Sequence, residues 1–134
     1  MLSSEGFADI QTVMMKLAEL TVAKYHNDVP LRTFPKDIGC ESYRMVKYRA
    51  GTQDRFAYHV DVSNHASARR FMGITWFLND VERGGEYFFP IPNVRVQPKK
   101  GRVLVYPSLW MYPHSVEPVQ SNDAYMITTF LHYL

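Results

Sequence analysis

Short apolar runs separated by turn sequences fill the chain from residue 42 onward, and this pattern constrains the fold more than any other feature. The runs are rich in alternating, β-branched and aromatic residues, which is typical of β-strands. The segments between them, such as GTQD and NDVERGG, carry the Gly, Asn and Asp that turns prefer. The eight predicted strands are SYRMVKY, FAYHVDV, FMGITWFL, EYFF, NVRVQ, RVLVYP, HSVEPV and AYMITTFLHY. Eight short strands predict a β-sandwich or barrel.

The first 28 residues follow a helical period instead. Their apolar residues recur three and four positions apart from an N-cap at Ser3 or Ser4 to about Tyr25, which predicts one amphipathic helix. The expected core stripe of this helix consists of Phe7, Ile10, Val13, Met14, Leu17 and Leu20. With 134 residues, 46% of them hydrophobic, the chain has the size and composition of one domain. We therefore expect a single domain over residues 1–134, in which residues 1–28 support a β core at 42–133.

The composition argues against several classes of protein. A single cysteine, Cys40, rules out an internal disulfide, so a reducing, cytoplasmic location is the expectation. The net charge of +2 is too small to predict nucleic-acid binding, and the pairs ArgArg at 69–70 and LysLys at 99–100 are expected to be solvated turns. The longest apolar run, residues 71–78, is too short to cross a bilayer, so no membrane partner is expected.

The sequence HVD inside the second predicted strand is the first sign of a functional site. Because side chains alternate between the two faces of a strand, His59 and Asp61 point to the same side. Two histidines and one carboxylate are the usual protein ligands of a non-heme Fe(II) site. The third ligand is to be chosen among the other four histidines, where His65 stays open and His114, at the start of a strand, is preferred.

The order of the motifs points to a family. YRAG, HVD, TWFLND, GGEYFFP, VQPKKGRVLVYPS, PHSVEPV and YMITTF follow one another over residues 43–133. This succession resembles the prolyl-4-hydroxylase-like branch of the Fe(II)- and 2-oxoglutarate-dependent oxygenases. The resemblance implies a double-stranded β-helix of two four-stranded sheets, preceded by helices. It also assigns His59, Asp61 and His114 to Fe(II).

The same resemblance implies a reaction and its cofactors. Enzymes of this family use Fe(II), 2-oxoglutarate and O2 to hydroxylate carbon, and ascorbate is a candidate additional cofactor. In this chain Tyr48 matches a tyrosine that hydrogen-bonds 2-oxoglutarate, and the GlyGlyGlu at 84–86 matches the turn before the strand that crosses the pocket. Thr128 is a second polar contact of the cosubstrate that the chain retains.

One family feature is missing. The basic residue that the family places ten positions after the distal histidine, where it pairs with the far carboxylate of 2-oxoglutarate, is Ala124 here, and a common tyrosine contact is Phe77. A buried dianion without a cation is costly. Arg44 lies on the predicted inward face of the strand that carries Tyr48, so it is the expected replacement. The alternative is that Arg44 points to water at the end of its strand.

We therefore predict an Fe(II)- and 2-oxoglutarate-dependent dioxygenase that hydroxylates a prolyl, peptidyl or small-molecule substrate. Two alternatives remain at this point. One is a catalytically silent metal- or ligand-binding β-barrel that has lost the 2-oxoglutarate anchor, as Ala124 and Phe77 suggest. The other is a metal-free interaction module in which His59 and Asp61 only hydrogen-bond to each other.

Overall fold

The computed structural model describes residues 4–30 and 33–134. It contains one helix, α1 (Ser4–Asp28), a 3₁₀ turn (His65–Ser67) and nine strands. The strands are β1 (Ile38–Cys40), β2 (Arg44–Tyr48), β3 (Phe56–His59), β4 (Arg70–Phe77), β5 (Tyr87–Phe89), β6 (Val94–Val96), β7 (Val103–Pro107), β8 (His114–Val116) and β9 (Ala124–Tyr133). All eight predicted strands are present, and β1 is an additional one.

Residues 1–36 form one compact unit and residues 37–134 another. In the first unit α1 continues to Asp28, about a turn beyond its predicted end, and an exposed ion pair of 2.8 Å between Lys24 and Asp28 spans this last turn. Ser3 lies outside the described residues. No helix in the described ranges combines the length and hydropathy that a membrane span needs.

The predicted core stripe of α1 is largely wrong. Met14 is buried, but four other members of the stripe are exposed, namely Ile10, Val13, Leu17 and Leu20. The described part of residues 1–36 contains a single helix, which cannot cover its own apolar face. That residues 1–28 support the β core within one domain stays a prediction.

The second unit is built from two antiparallel sheets. In the five-stranded sheet β9 pairs with β1, β2 and β4, and β4 pairs with β7. The four-stranded sheet has the order β3-β8-β5-β6. One buried cluster contains residues of both sheets, including Phe77 and Met126 from the larger and Tyr87 and Val116 from the smaller. The core therefore lies between the sheets, and the predicted double-stranded β-helix is confirmed.

The register of β2, β9 and β4 defines layers across the inner face of the larger sheet. Arg44 is opposite Thr128, which is opposite Thr75 on β4. The next layer inward contains Met126 between Val46 and Phe77, and the following one pairs Tyr48 with Ala124. Directly opposed residues lie on the same face of a sheet. On this face the polar layer of Thr128 is therefore followed, two residues along each strand, by the apolar layer of Met126.

The GlyGlyGlu motif forms the turn before β5, as predicted. Gly84 and Gly85 have φ values of 78° and 73°. A Cβ atom on Gly84 would lie 2.2 Å from the carbonyl oxygen of Pro118, so only glycine fits. The turn leads directly into β5, which carries Tyr87 to the centre of the core.

Candidate metal centre

Three side chains from two neighbouring strands and a loop meet between the sheets. His59 is the last residue of β3 and is paired with His114, the first residue of β8. Asp61 follows two residues after His59, outside any strand. Its Oδ1 atom lies 3.4 Å from Nε2 of His59 and 3.8 Å from Nε2 of His114. The potential ligand atoms of all three residues lie within 4.8 Å of one another.

The other open choice for a third ligand is not part of this group. His65 is exposed in the 3₁₀ turn and does not belong to the His59, Asp61 and His114 cluster. The turn is fixed by its own capping box, in which Asn64 and Ser67 exchange hydrogen bonds. The structure therefore places the preferred set of three together. That this set binds iron stays a prediction.

The hydrogen bonds of the two imidazole rings define which nitrogen is available to a metal. Nδ1 of His59 lies 2.7 Å from the carbonyl oxygen of Ala57, and Nδ1 of His114 lies 3.1 Å from that of Tyr112. Since a carbonyl oxygen only accepts, each Nδ1 carries the proton of a neutral ring, and each Nε2 presents a lone pair. Such second contacts orient histidine ligands in metal sites.

Three acceptor atoms thus face one another with no proton between them. The Asp61 side chain is 5% exposed, and its Oδ2 atom has no hydrogen-bond partner among the described residues. A buried carboxylate oxygen without a partner is costly, and a cation in the middle of the three acceptors would remove that cost. The donor set, two imidazoles and one carboxylate, fits a divalent transition metal.

Burial controls the protonation of the groups around this cluster. His114 is 2% exposed, and burial lowers its pKa, which keeps the ring neutral as a metal ligand requires. Burial also raises the pKa of Tyr106 well above its usual value, and the negative charge of Asp61 adds to this rise. Tyr87 is shifted in the same direction by burial, so the pKa of each phenol keeps it protonated.

Arg70 fixes the loop that contains Asp61. Its guanidinium donates two hydrogen bonds to the Glu41 carboxylate, at 2.6 and 2.8 Å, and one of 3.3 Å to the backbone carbonyl of Asp61. It also lies over the ring of Phe130, 4.2 Å from the centroid. The prediction that residues 69–70 are a solvated turn is therefore wrong for Arg70, because a bidentate partner holds its charge at the site.

The cluster opens into a cavity of about 330 Å³. All three predicted cosubstrate contacts line it, namely Arg44, Tyr48 and Thr128. Thr75 and Tyr87 add hydroxyl groups to the wall, with their oxygens 3.3 Å apart. The cavity therefore has a polar layer at the level of Thr128 and an apolar layer below it.

The predicted relation of Arg44 to Ala124 needs a correction. Arg44 is paired with Thr128, and the residue opposite Ala124 is Tyr48. Tyr48 and Ala124 are buried in the same cluster, so the space beside the alanine belongs to a phenol ring. The Arg44 side chain is 58% exposed, 3.8 Å from Glu41, and still lines the cavity. Arg44 as the cosubstrate anchor stays a prediction, but at the level of Thr128.

Tyr106 is the site residue that the sequence pattern missed. Its hydroxyl oxygen lies 3.4 Å from Nε2 of His114, in the wall of the cavity. Gly73 is opposite Tyr106 in the pairing of β4 with β7, and a Cβ atom there would lie 2.5 Å from Cζ of the phenol. A glycine in the middle of a buried strand is the sequence signal of such a close approach.

Comparison with known proteins agrees with this architecture. The model of the 2OG-Fe(II) oxygenase superfamily matches residues 43–132. The chain belongs to this superfamily, which implies Fe(II), 2-oxoglutarate and O2 as the reagents of its members. No curated protein matches the sequence.

Solved prolyl hydroxylases share the fold at low sequence identity. A viral collagen prolyl hydroxylase from Paramecium Bursaria Chlorella virus-1, in its 2-oxoglutarate complex, matches with a TM-score of 0.73 and 18% identity over 100% of this chain and 76% of its own. A Trichoplax adhaerens prolyl hydroxylase, bound to a hypoxia inducible factor peptide, matches with a TM-score of 0.62 and 24% identity, over 71% of this chain and 44% of its own. A Pseudomonas putida prolyl-4-hydroxylase matches with a TM-score of 0.58 and 23% identity, over 74% of this chain and 54% of its own.

Proposed function

We propose that the chain is an Fe(II)- and 2-oxoglutarate-dependent dioxygenase whose iron is held by His59, Asp61 and His114. One observation carries this proposal: Oδ1 of Asp61 lies 3.4 Å from Nε2 of His59 and 3.8 Å from Nε2 of His114, and all three atoms are acceptors without a proton between them. Iron bound there would couple the oxidation of 2-oxoglutarate by O2, which yields succinate and CO2, to the insertion of the second oxygen atom into a C–H bond of the substrate.

The cavity residues would bind and orient the cosubstrate. Arg44 supplies the cation for its far carboxylate, and Thr128 and Tyr48 supply hydroxyl groups. Val46 contributes to the wall of the cavity, and the two residues in its layer, Met126 and Phe77, are buried in the core. Arg70 keeps the Asp61 loop in place through the carbonyl of Asp61.

The substrate that fits this proposal is a peptide, with hydroxylation at a prolyl residue. Support comes from the fold shared with hydroxylases of collagen and of a hypoxia inducible factor peptide. A small-molecule substrate is the second form of the same proposal. Both require a C–H bond to reach the open side of the cavity, next to the metal ligands.

Anaerobic titration with Fe(II) tests the proposal. We expect one iron per chain, and a visible charge-transfer band that develops only when 2-oxoglutarate is added as well. Admission of O2 should then produce succinate. His114→Ala should bind no iron, whereas His65→Ala, the matched exposed histidine, should behave like the parent chain.

The silent barrel is the second candidate function, and the alanine at position 124 favours it. In that case the chain would bind the metal but release no succinate from 2-oxoglutarate under O2. A chain that binds no metal at all would contradict both candidates. It would leave His59, Asp61 and His114 as a hydrogen-bonded group of an interaction module.

A further inference from the structure

The phenol of Tyr106 offers a proton to a potential ligand atom of the cluster, whereas Arg70 donates to the backbone carbonyl of Asp61. Its hydroxyl lies 3.4 Å from Nε2 of His114, and since Nδ1 of that ring donates to the Tyr112 carbonyl, the phenol donates to Nε2. The ring is fixed on both sides, at 4.8 Å from the centroid of His114 and 5.1 Å from that of Phe89.

The absence of a side chain at Gly73 makes room for the Tyr106 ring. Gly73 faces Tyr106 across the β4 and β7 pairing, and any larger residue would meet the ring, because its Cβ would lie 2.7 Å from the hydroxyl oxygen itself. A glycine in the buried strand β4 thus allows the Tyr106 hydroxyl to lie next to the metal-ligand cluster.

A metal ion bound to the cluster would change the hydrogen-bond partner of the Tyr106 hydroxyl. The atom it now contacts, Nε2 of His114, is the atom that the proposed function assigns to the metal. A nitrogen that coordinates a metal has no lone pair left for a hydrogen bond. The buried O–H group would then lose this partner, and another acceptor would have to replace it.

Other hydroxyl groups of the cavity are less suited to this role. The oxygens of Thr75 and Tyr87 are 3.3 Å apart, and the Tyr87 hydroxyl also lies 3.6 Å from the sulfur of Met126. These two hydroxyl groups satisfy each other at the layer of Thr128, although the Tyr87 ring itself stacks on His114 with centroids 5.9 Å apart. Tyr106 is the donor next to the ligand atoms.

We propose that Tyr106 is a cosubstrate-binding residue. Its hydroxyl donates a hydrogen bond to a carboxylate oxygen of the 2-oxo acid that enters the metal centre. This inference rests on the proposed function, because it needs a metal at His114. It predicts that the hydroxyl contributes to the affinity for the 2-oxo acid and not to the affinity for the metal.

The variant Tyr106→Phe tests this inference by two separate titrations without O2. The first measures the Kd of Co(II) by its visible absorption, and the second measures the Kd of 2-oxoglutarate on the metal-loaded protein. We expect an unchanged Kd for Co(II) and a Kd for 2-oxoglutarate that rises about tenfold or more, as the loss of a hydrogen bond to a charged group implies.

A matched control removes a phenol oxygen away from the cavity. Tyr133→Phe changes a side chain at the end of β9 that is 47% exposed, so both dissociation constants should stay at the parent values. If Tyr106→Phe does not fold, Tyr106→Leu, which also lacks the hydroxyl, replaces it in the same two titrations.

The outcomes separate the two proposals. An equal affinity for 2-oxoglutarate in Tyr106→Phe and the parent would overturn the role of Tyr106 and leave the proposed function intact. Weaker Co(II) binding in the variant would show that the phenol positions Asp61 instead, which also overturns this inference. A parent chain that binds neither Co(II) nor Fe(II) would overturn the proposed function together with it.

Discussion

Arg44 brings a positive charge to the cavity at the layer of Thr128, whereas the position beside Ala124 has none. Replacing Arg44 with alanine should weaken 2-oxoglutarate binding by about 10- to 150-fold, because a hydrogen bond to a charged group contributes about 1.5–3 kcal/mol. Iron binding should be unaffected, since Arg44 does not belong to the ligand cluster. Two calorimetric titrations without O2 measure these affinities, one of the metal-free protein with Fe(II) and one of the iron-loaded protein with 2-oxoglutarate.

Lys47 provides the matched control for this change. It lies on the same strand, alternates to the opposite face and pairs with Asp123 at 2.9 Å, so Lys47→Ala should leave 2-oxoglutarate binding as it is. Equal affinities in Arg44→Ala and Lys47→Ala would mean that Arg44 serves only Glu41 and solvent. Arg70, which also lines the cavity but is already paired with Glu41, would then be the arginine left for the far carboxylate, and the silent barrel would be favoured.

Single residues were predictable where a local rule decides their direction. The alternation of a strand predicts that His59 and Asp61 point together, and they do, although β3 ends at His59 and Asp61 lies in the loop that Arg70 holds. Tyr106 could not be assigned in this way. Its role depends on which strand lies opposite Gly73 and on how close His114 comes, and both are set by tertiary pairing.

The turn between β2 and β3 is an element with its own pH dependence. Asp54 accepts hydrogen bonds from the backbone N–H, Nε and Nη2 of Arg49, at 3.1, 2.8 and 3.3 Å. These bonds, with the side-chain bond from Arg49 as the largest cause, lower the pKa of Asp54 from 3.8 to about 2. The turn directly follows Tyr48, so it fixes the end of β2 next to Ala124.

A folded pKa below the unfolded value means that Asp54 stabilises the fold above pH 4 and loses this effect as the pH falls toward about 2. Asp54→Asn should therefore have a lower Tm than the parent at pH 7, by a small amount because the pair is exposed, and a smaller deficit at pH 2, where the carboxyl of the folded parent is about half protonated. Thermal unfolding followed by circular dichroism at both pH values measures the difference. A deficit of equal size at both pH values would assign the loss to side-chain packing instead.

At the level of elements, long alternating runs were predictable and short ones were not. The last predicted strand coincides with β9, Ala124–Tyr133, whereas β1, Ile38–Cys40, was missed because three residues around a glycine carry no readable period. The four-stranded sheet has strands of three or four residues, so their predicted ends were too long. Helical spacing located α1, but it could not show which residues are covered, since that depends on a partner.

The metal centre couples distant parts of the β unit, because its ligands come from β3, the following loop and β8, more than 50 residues apart in sequence. A cation that binds the folded chain and not the unfolded one should raise the free energy of unfolding by about 2.7 kcal/mol at a hundredfold excess over its Kd. For a domain of this size the corresponding rise in Tm is about 10 °C. Differential scanning fluorimetry with Mn(II), which avoids the oxidation of Fe(II), measures this rise in Tm.

Asp61→Ala distinguishes a metal centre from a structural hydrogen-bonded cluster. The Asp61 side chain is 5% exposed and its Oδ2 atom has no partner among the described residues, so its removal relieves a buried, unpaired carboxylate oxygen. Without metal, the variant should be as stable as the parent or more so, and Mn(II) should no longer raise its Tm. Asp9→Ala, at an exposed position of α1, should keep the full response to Mn(II). A large loss of metal-free stability in Asp61→Ala would instead mean that the carboxylate holds the two imidazoles together by hydrogen bonds, and the acceptor cluster would no longer require a cation.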